Sequence, residues 1–455
     1  MTRILAALFV LIAVLGSTGP VFAASPIQRD LPAGLQIPEA ARPGPAFDVD
    51  RATAAYIDLL TPEQRQLSDQ YFEGGYWLQL WGWLYGLGVA ALLLWGGISQ
   101  RLRNLARRIS QQPTVATALY LVQYTIVGFV LGFPLAVYSD FLREHQYGLA
   151  TQGFGGWFGD QAKGLMVGLI LGTLVLSLLY LIARRVGERW WLWASAGTFV
   201  FALLLSMIAP VFISPLFNDY QPVPDGPVRA AVLSLARANQ IPTQRVVYFD
   251  ASRQTTRVSA NVSGFAGTTQ ISLNDNLLNK TSLPEIKAVM GHEMGHYALH
   301  HGLRLTVYFT LIISLGLWFT HHLLNWSLAR FGQRLGLENR TDPAALPLVG
   351  AILSVFLFLM TPLLNSVIRQ AEAEADIFGL NAAREPHGFA TAAMRLSTYR
   401  KIRPGYWEEI LFYDHPSGYA RVHGSMLWLK ENQDNATANA PLAAAIDAAK
   451  PALPK

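Results

Sequence analysis

The sequence predicts a mainly α polytopic membrane helical bundle with one small α+β insertion. Three observations predict it. The 455 residues are 52% apolar and only 14% charged, against about 25% charged in a soluble domain. Six stretches run without Asp, Glu, Lys or Arg for about the 20 residues that cross a hydrocarbon core as a helix. One long polar segment, 219–303, interrupts them. A disordered chain and an ordinary soluble enzyme are both excluded. The 12 Trp and 17 Tyr suit a chain that meets two membrane interfaces. Net charge is +5, with arginines grouped beside apolar runs, so the expected partner is a lipid bilayer and not a nucleic acid. There is no cysteine, which removes disulfides, thiolate ligands and cysteine nucleophiles together.

In residues 1–23, Arg3, the apolar run from Ile4 to Leu15 and the small residues up to Ala23 read as an export signal. A signal peptide cleaved after Ala23 and a retained first membrane helix both fit, and both put Ser25 onward outside the cytoplasm. Residues 24–73 read as an extracytoplasmic linker, proline-rich at first, with a short surface helix within 48–72. Four spans are expected in 74–218 and two in 304–368. They lie between Glu73 and Arg101, Arg108 and Asp140, Lys163 and Arg184, Arg189 and Asp219, Arg304 and Arg330, and Asp342 and Arg369.

Loop arginines orient the spans. Arg101, Arg103, Arg107 and Arg108 mark the first loop, Arg184, Arg185 and Arg189 the third, and Arg330, Arg334 and Arg340 the fifth. These three loops are expected in the cytoplasm. Segment 219–303 and the C-terminal part then face outward, in agreement with the export signal. The expected location is a bacterial inner membrane, with the site facing the periplasm.

Within 219–303, residues 228–239 carry one apolar helical stripe. Val246–Phe249, Arg257–Ser263 and Thr268–Leu273 read as strands, with a turn at Gly264 to Gly267. A helix follows, opened by a capping box of Ser282 and Glu285 with Pro284 in its first turn. It carries His292-Glu293-Met294-Gly295-His296, an H-E-x-x-H pattern. Two His four apart leave one helix face and can share one zinc ion, and Glu293 stands beside the first of them, placed to take a proton from attacking water. A catalytic zinc usually takes three protein ligands. His300 and His301 follow on the same helix, where a third ligand would have to reach back past a full turn. The better candidate lies just after the last span, where Arg369, Glu372 and Asp376 share a helical face. Glu372 can ligate, Asp376 can orient a ligating His, Arg369 stands one turn before, and Glu374 points elsewhere. His321 and His322 lie in a span and are expected to pack there.

Together, H-E-M-G-H after a small sheet and R-x-x-E-x-x-x-D after the last span resemble the integral-membrane CAAX prenyl protease type 1 family of zinc metallopeptidases, over roughly residues 50–430. Asp414-His415-Pro416 followed by Arg421 is similar to that family's H-P-x-x-x-x-R motif. The resemblance implies seven helices around an intramembrane chamber and one zinc per chain. It also implies that His415 and Arg421 lie near substrate, where either could stabilise an oxyanion. Ser259-Ala260-Asn261 is similar to the strand that pairs with substrate backbone, which makes Asn261 a candidate substrate-binding residue. Residues 369–430 would hold the third-ligand helix and this motif, with a disordered tail over 431–455. The expected activity is a membrane-embedded zinc metalloendopeptidase acting on peptide or membrane-protein substrates. The alternatives are a transporter or chaperone-like membrane protein with a structural zinc site, which would not need Glu293.

Overall fold

The computed structural model describes residues 31–264 and 268–432. The export-signal reading of 1–23 and nearly all of the expected tail lie outside the described residues.

Helices form where the uncharged stretches are, and local caps fix their starts. Helix α1 (Val49–Ile57) is capped by Asp48, and α2 (Pro62–Trp95) opens on a Thr61–Gln64 capping box with Pro62 in its first turn. The arginine-rich α3 (Ile98–Ile109) leads into α4 (Pro113–Ala136), then α5 (Phe154–Val186) and α6 (Trp190–Ile208). The polar segment supplies β1 (Tyr220–Pro222), α7 (Pro227–Ala238), β2 (Val246–Phe249), β3 (Ala260–Ser263), β4 (Gln270–Asn274), α8 (Asp275–Lys280) and α9 (Leu283–Ala298). Then come α10 (His301–Phe331), α11 (Leu346–Ala383), α12 (Pro386–Leu396), α13 (Tyr406–Phe412) and α14 (Gly418–Glu431).

Among the described residues, five helical stretches are long and apolar enough to cross a membrane, and one of them runs 63 residues, Phe154–Leu216. That stretch holds two of the six predicted spans. Gly187 adopts a left-handed φ of 63°, the chain folds back there, and α5 packs on α6. Parity agrees: residues near 56 touch residues near 387, so an even number of crossings separates them. The six legs close a ring in the order α2–α11–α10–α6–α5–α4 and back to α2. At most 28% of the residues in any span's most apolar window are buried, as expected of a ring whose inner faces are not plugged.

The sheet runs β1-β2-β4-β3, with β2 and β4 parallel and the other pairs antiparallel. Its apolar face, Ile271 and Leu273, packs on Val232 and Leu235 of α7 and on Ile286, Met290 and Met294 of α9. Strands β2, β3 and β4 fall within or close to the predicted runs. The three-residue β1 carries no pattern that a sequence can reveal.

The expected linker is a structural part of the site's end of the molecule. Leu31, Ala52, Tyr56 and Leu60 are buried in one cluster with Met394 of α12 and Val422, Met426 and Leu429 of α14. Each fully buried Leu or Met there contributes about 1.5–3 kcal/mol. Residues 62–73, read as part of a surface helix, are instead the first turns of α2. The reason is long-range packing: buried Arg395 donates to Glu285 Oε1 at 2.6 Å and to the Leu31 carbonyl oxygen at 2.9 Å. It thereby ties the N-terminal segment to the cap of α9.

Candidate metal centre

Two helices carry the donors, and two glycines let them touch. Helix α9 presents His292 and His296, and α11 presents Glu372. A Cβ on Gly291 would lie 2.9 Å from the Gly379 carbonyl oxygen, and one on Gly379 would lie 2.7 Å from the His292 backbone nitrogen. Any side chain at either position would part the helices.

His292 Nε2 and His296 Nε2 are 3.1 Å apart, and each lies 3.3 Å from a different Glu372 carboxylate oxygen. Zinc with tetrahedral bonds of about 2.0–2.1 Å has ligand–ligand edges of about 3.3 Å. Each His nitrogen thus stands at about that edge length from the other and from one Glu372 oxygen, and the donor chemistry suits zinc. Among the described residues, no other group of His and carboxylate donors lies close enough to hold a metal.

A second layer orients these donors. His292 Nδ1 is 2.8 Å from Asp376 Oδ1, and the buried Arg421 reaches Asp376 Oδ2 and Glu372 Oε2, both at 3.0 Å. One guanidinium thus holds both carboxylates. Burial disfavours a proton on His292, but Asp376 and then Glu372 outweigh it and raise its pKa to about 10. A metal must displace that proton to bind. On the other side, His296 Nδ1 is 2.9 Å from His301 Nδ1, and His301 Nε2 is 3.2 Å from Glu374 Oε2. Arg304 Nη2 donates to the same Glu374 oxygen at 2.7 Å. His301 can turn back on His296 because His300, exposed between α9 and α10, takes a left-handed φ of 53°.

Glu293 lines the same cavity of about 270 Å³ as the three donors, with Asp376, His415 and Arg421. Burial pushes its carboxyl up, against the pull of His292 and His296. His415 Nδ1 is 2.7 Å from Asp414 Oδ1, and its Nε2 is 3.3 Å from Glu372 Oε2. A second groove, about 510 Å³, adjoins this cavity through Val258, Ser259, Tyr399 and Arg400 and continues toward Tyr71 and Phe249.

Two sequence-predicted residues sit elsewhere. Arg369 does not reach the donors: it donates to the Glu409 carbonyl oxygen at 2.8 Å, to that of Tyr413 and to Ser366 Oγ. One helical turn from Glu372, its side chain points to the backbone that leads to Asp414 and His415. Asn261 is exposed on the edge strand β3, whereas its neighbours Ser259 and Ala260 line the cavity. Contrary to expectation, His300 and His301 do not continue the helix of His296: α9 ends at Ala298 and His301 opens α10, which lets it stand behind His296 as a positioning group. Glu374 does point away from the donors, yet it completes the chain of contacts behind His296. His321 packs in its span, accepting from Trp190 Nε1 at 3.0 Å.

The chain is similar to known proteins along most of its length. Residues 49–219 match a family model described as CAAX prenyl protease N-terminal, five membrane helices, and residues 222–424 match peptidase family M48. The chain is 28% identical over 347 residues to the uncharacterized metalloprotease YhfN of Bacillus subtilis, covering 76% of this chain and 80% of the relative. It is 25% identical over 311 residues to the CAAX prenyl protease 1 homolog of Oryza sativa subsp. japonica, 68% of this chain and 72% of the relative. The CAAX prenyl protease 1 of Saccharomyces cerevisiae is 29% identical over 291 residues, 60% of this chain and 63% of that protein. The crystal structure of S. mikatae Ste24p shares the fold, with a TM-score of 0.68 at 22% identity over 81% of this chain and 90% of that one.

Proposed function

The chain belongs to the peptidase M48 family of membrane metalloproteases, and on that premise we propose that it is a zinc endopeptidase that cuts peptide segments of membrane or exported proteins outside the cytoplasm. The carrying observation is the convergence of His292, His296 and Glu372 at 3.1–3.3 Å with Glu293 in the same cavity. A structural zinc site is usually closed by four protein ligands, whereas here three donors converge and the carboxylate of Glu293 stands beside them.

In this reading His292, His296 and Glu372 hold the zinc. When bound, zinc supplies Lewis-acid polarisation of the scissile carbonyl and acidifies water. Glu293 takes the proton of the attacking water and returns it to the leaving amine, a transfer worth about 10²–10⁴ in rate. His415, with Nδ1 held by Asp414, turns Nε2 toward the reaction centre, and its imidazolium form, with a proton on each ring nitrogen, donates to the carbonyl oxygen as it gains charge. Arg421 is engaged by two carboxylates, so its role is to position Glu372 and Asp376 and not to bind the oxyanion. Edge strand β3, with Ala260 lining the cavity, offers backbone for an extended substrate.

The outward orientation rests on the loop arginines. The relatives' names point to CAAX chains, but chains prenylated in the cytosol would not reach an outward-facing site, so unprenylated segments are the proposed substrates. The test compares Glu293→Gln with the wild type on an unprenylated peptide library. The expected result is a loss of about 10²–10⁴ in kcat with about one zinc retained per chain. A Glu293→Gln protein that cleaves normally would return the site to a structural role.

A further inference from the structure

A polar cavity of about 410 Å³ opens where α3, the start of α4, the last turn of α5 and the loop before α11 meet. Three guanidinium groups line it. Arg103 is buried and bonded to Asp342. Arg107 pairs with Glu338, its Nη2 2.8 Å from Oε2. Arg184 bonds only the Thr117 hydroxyl, and among the described residues no carboxylate pairs with it. The start of α4 also faces this space through Pro113, Ala116 and Thr117, and Gln112 supplies no side-chain cap. The positive end of a 24-residue helix therefore adds to the unpaired guanidinium.

Depth in the membrane narrows the ligand. Pro113 opens one apolar span and Arg184 closes another, so the cavity lies at the level of the headgroups. Helix α3 agrees. Leu105 and Ile109, on the opposite face from Arg103 and Arg107, are exposed, and a helix divided in that way lies in the membrane interface. We propose that this cavity binds the phosphate of an anionic phospholipid headgroup, with Arg184 as the main contact and Arg107 and the start of α4 beside it. The site is separate from the metal centre and does not depend on the peptidase reading.

The experiment uses the full chain in uncharged detergent, titrated with dihexanoyl phosphatidylglycerol, dihexanoyl phosphatidylcholine or inorganic phosphate. Native mass spectrometry counts bound lipid. The expected result is one phosphatidylglycerol bound in preference to phosphatidylcholine. Arg184→Gln should weaken that binding at least tenfold. Arg184→Lys should weaken it less, and Arg334→Gln, an exposed loop arginine outside the cavity, should not change it. Arg107→Gln gives an independent measurement if Arg184→Gln is not recovered folded, and should also weaken binding severalfold. Equal binding of the two lipids, or unchanged binding in both Arg184→Gln and Arg107→Gln, would overturn the proposal. Inorganic phosphate that competes as tightly as phosphatidylglycerol would overturn the lipid assignment in favour of a free anion.

Discussion

At the metal end of the bundle, one arginine, Arg421, reaches two carboxylates, and both of those also face His292. At the other end, Arg103 and Arg107 each take a carboxylate and, among the described residues, Arg184 takes none. Both ends bury charge beside a membrane, yet they carry opposite excesses. Once the His292 proton is displaced, Glu293, Glu372 and Asp376 set three carboxyl groups against the one charge of Arg421, and a divalent ion would offset the difference. Around the second cavity the guanidinium groups outnumber the carboxylates. The same pairing chemistry thus makes a cation site or an anion site, according to which partner is left over.

The comparison breaks most simply if damage at one end is felt at the other. Asp342→Asn removes the nearer of the two carboxylates beside buried Arg103 and leaves Glu338 at 3.4 Å, so the cost should lie at or below the about 3–5 kcal/mol of a broken buried pair. Zinc content and kcat of the folded protein should stay as in the wild type. Loss of zinc in that variant, measured by metal analysis of the folded fraction, would mean that the two ends are coupled. Gly379→Ala is the converse test. Its Cβ would meet His292 nitrogen at 2.7 Å, an overpacking that costs about 1–3 kcal/mol and falls on the ligand geometry. Zinc should leave the variant at chelator concentrations that spare the wild type, while phospholipid binding at the other end is unaltered.

His301→Ala sharpens the account of the metal end. It removes the group behind His296 without touching the donors, so zinc affinity should fall about 10–100-fold, read by competition with a chromogenic chelator. An unchanged affinity would reduce the contacts of His301 and Glu374 to packing. The smallest effect concerns the seam between the N-terminal segment and α12. His387 Nδ1 is 2.8 Å from the Tyr56 hydroxyl, and burial lowers the His387 pKa from 6.5 to about 4. The unfolded chain therefore binds this proton first, and the stability that the neutral ring contributes is present above about pH 6.5. It is lost as pH falls toward 4. The melting temperature of His387→Gln should show a shallower acid-side decline than that of the wild type.

Much of the metal end is legible in the chain because its signals are local. H-E-M-G-H lies within one helical turn, Glu372 and Asp376 within another, and the Ser282–Glu285 cap within a third. The spans are legible for the same reason, since charge-free length needs no partner. What escaped the sequence depends on where side chains go after the chain turns. Arg369 shares a face with Glu372 by spacing, but it points to the Glu409 and Tyr413 carbonyls. His301 joins His296 only through the left-handed turn at His300. Residues 31–60 look like a linker because their partners, Arg395 and the α14 core, lie more than 300 positions away. The unpaired state of Arg184 was equally hidden, because an arginine count orients a loop without saying which arginines find a carboxylate.

The Tyr56–His387 contact joins residues 331 positions apart, and this sets an order of assembly. At about 5–20 residues per second, roughly 15–70 s of synthesis separate the two. All six crossings are laid into the bilayer in that interval. Meanwhile the apolar side chains of residues 31–60 have no surface to cover, since α12 and α14 are still unmade. This early-made segment is therefore among the last to be sheltered, and a ribosome that stalls in the fifth or sixth crossing would leave it open to proteases on that side of the membrane.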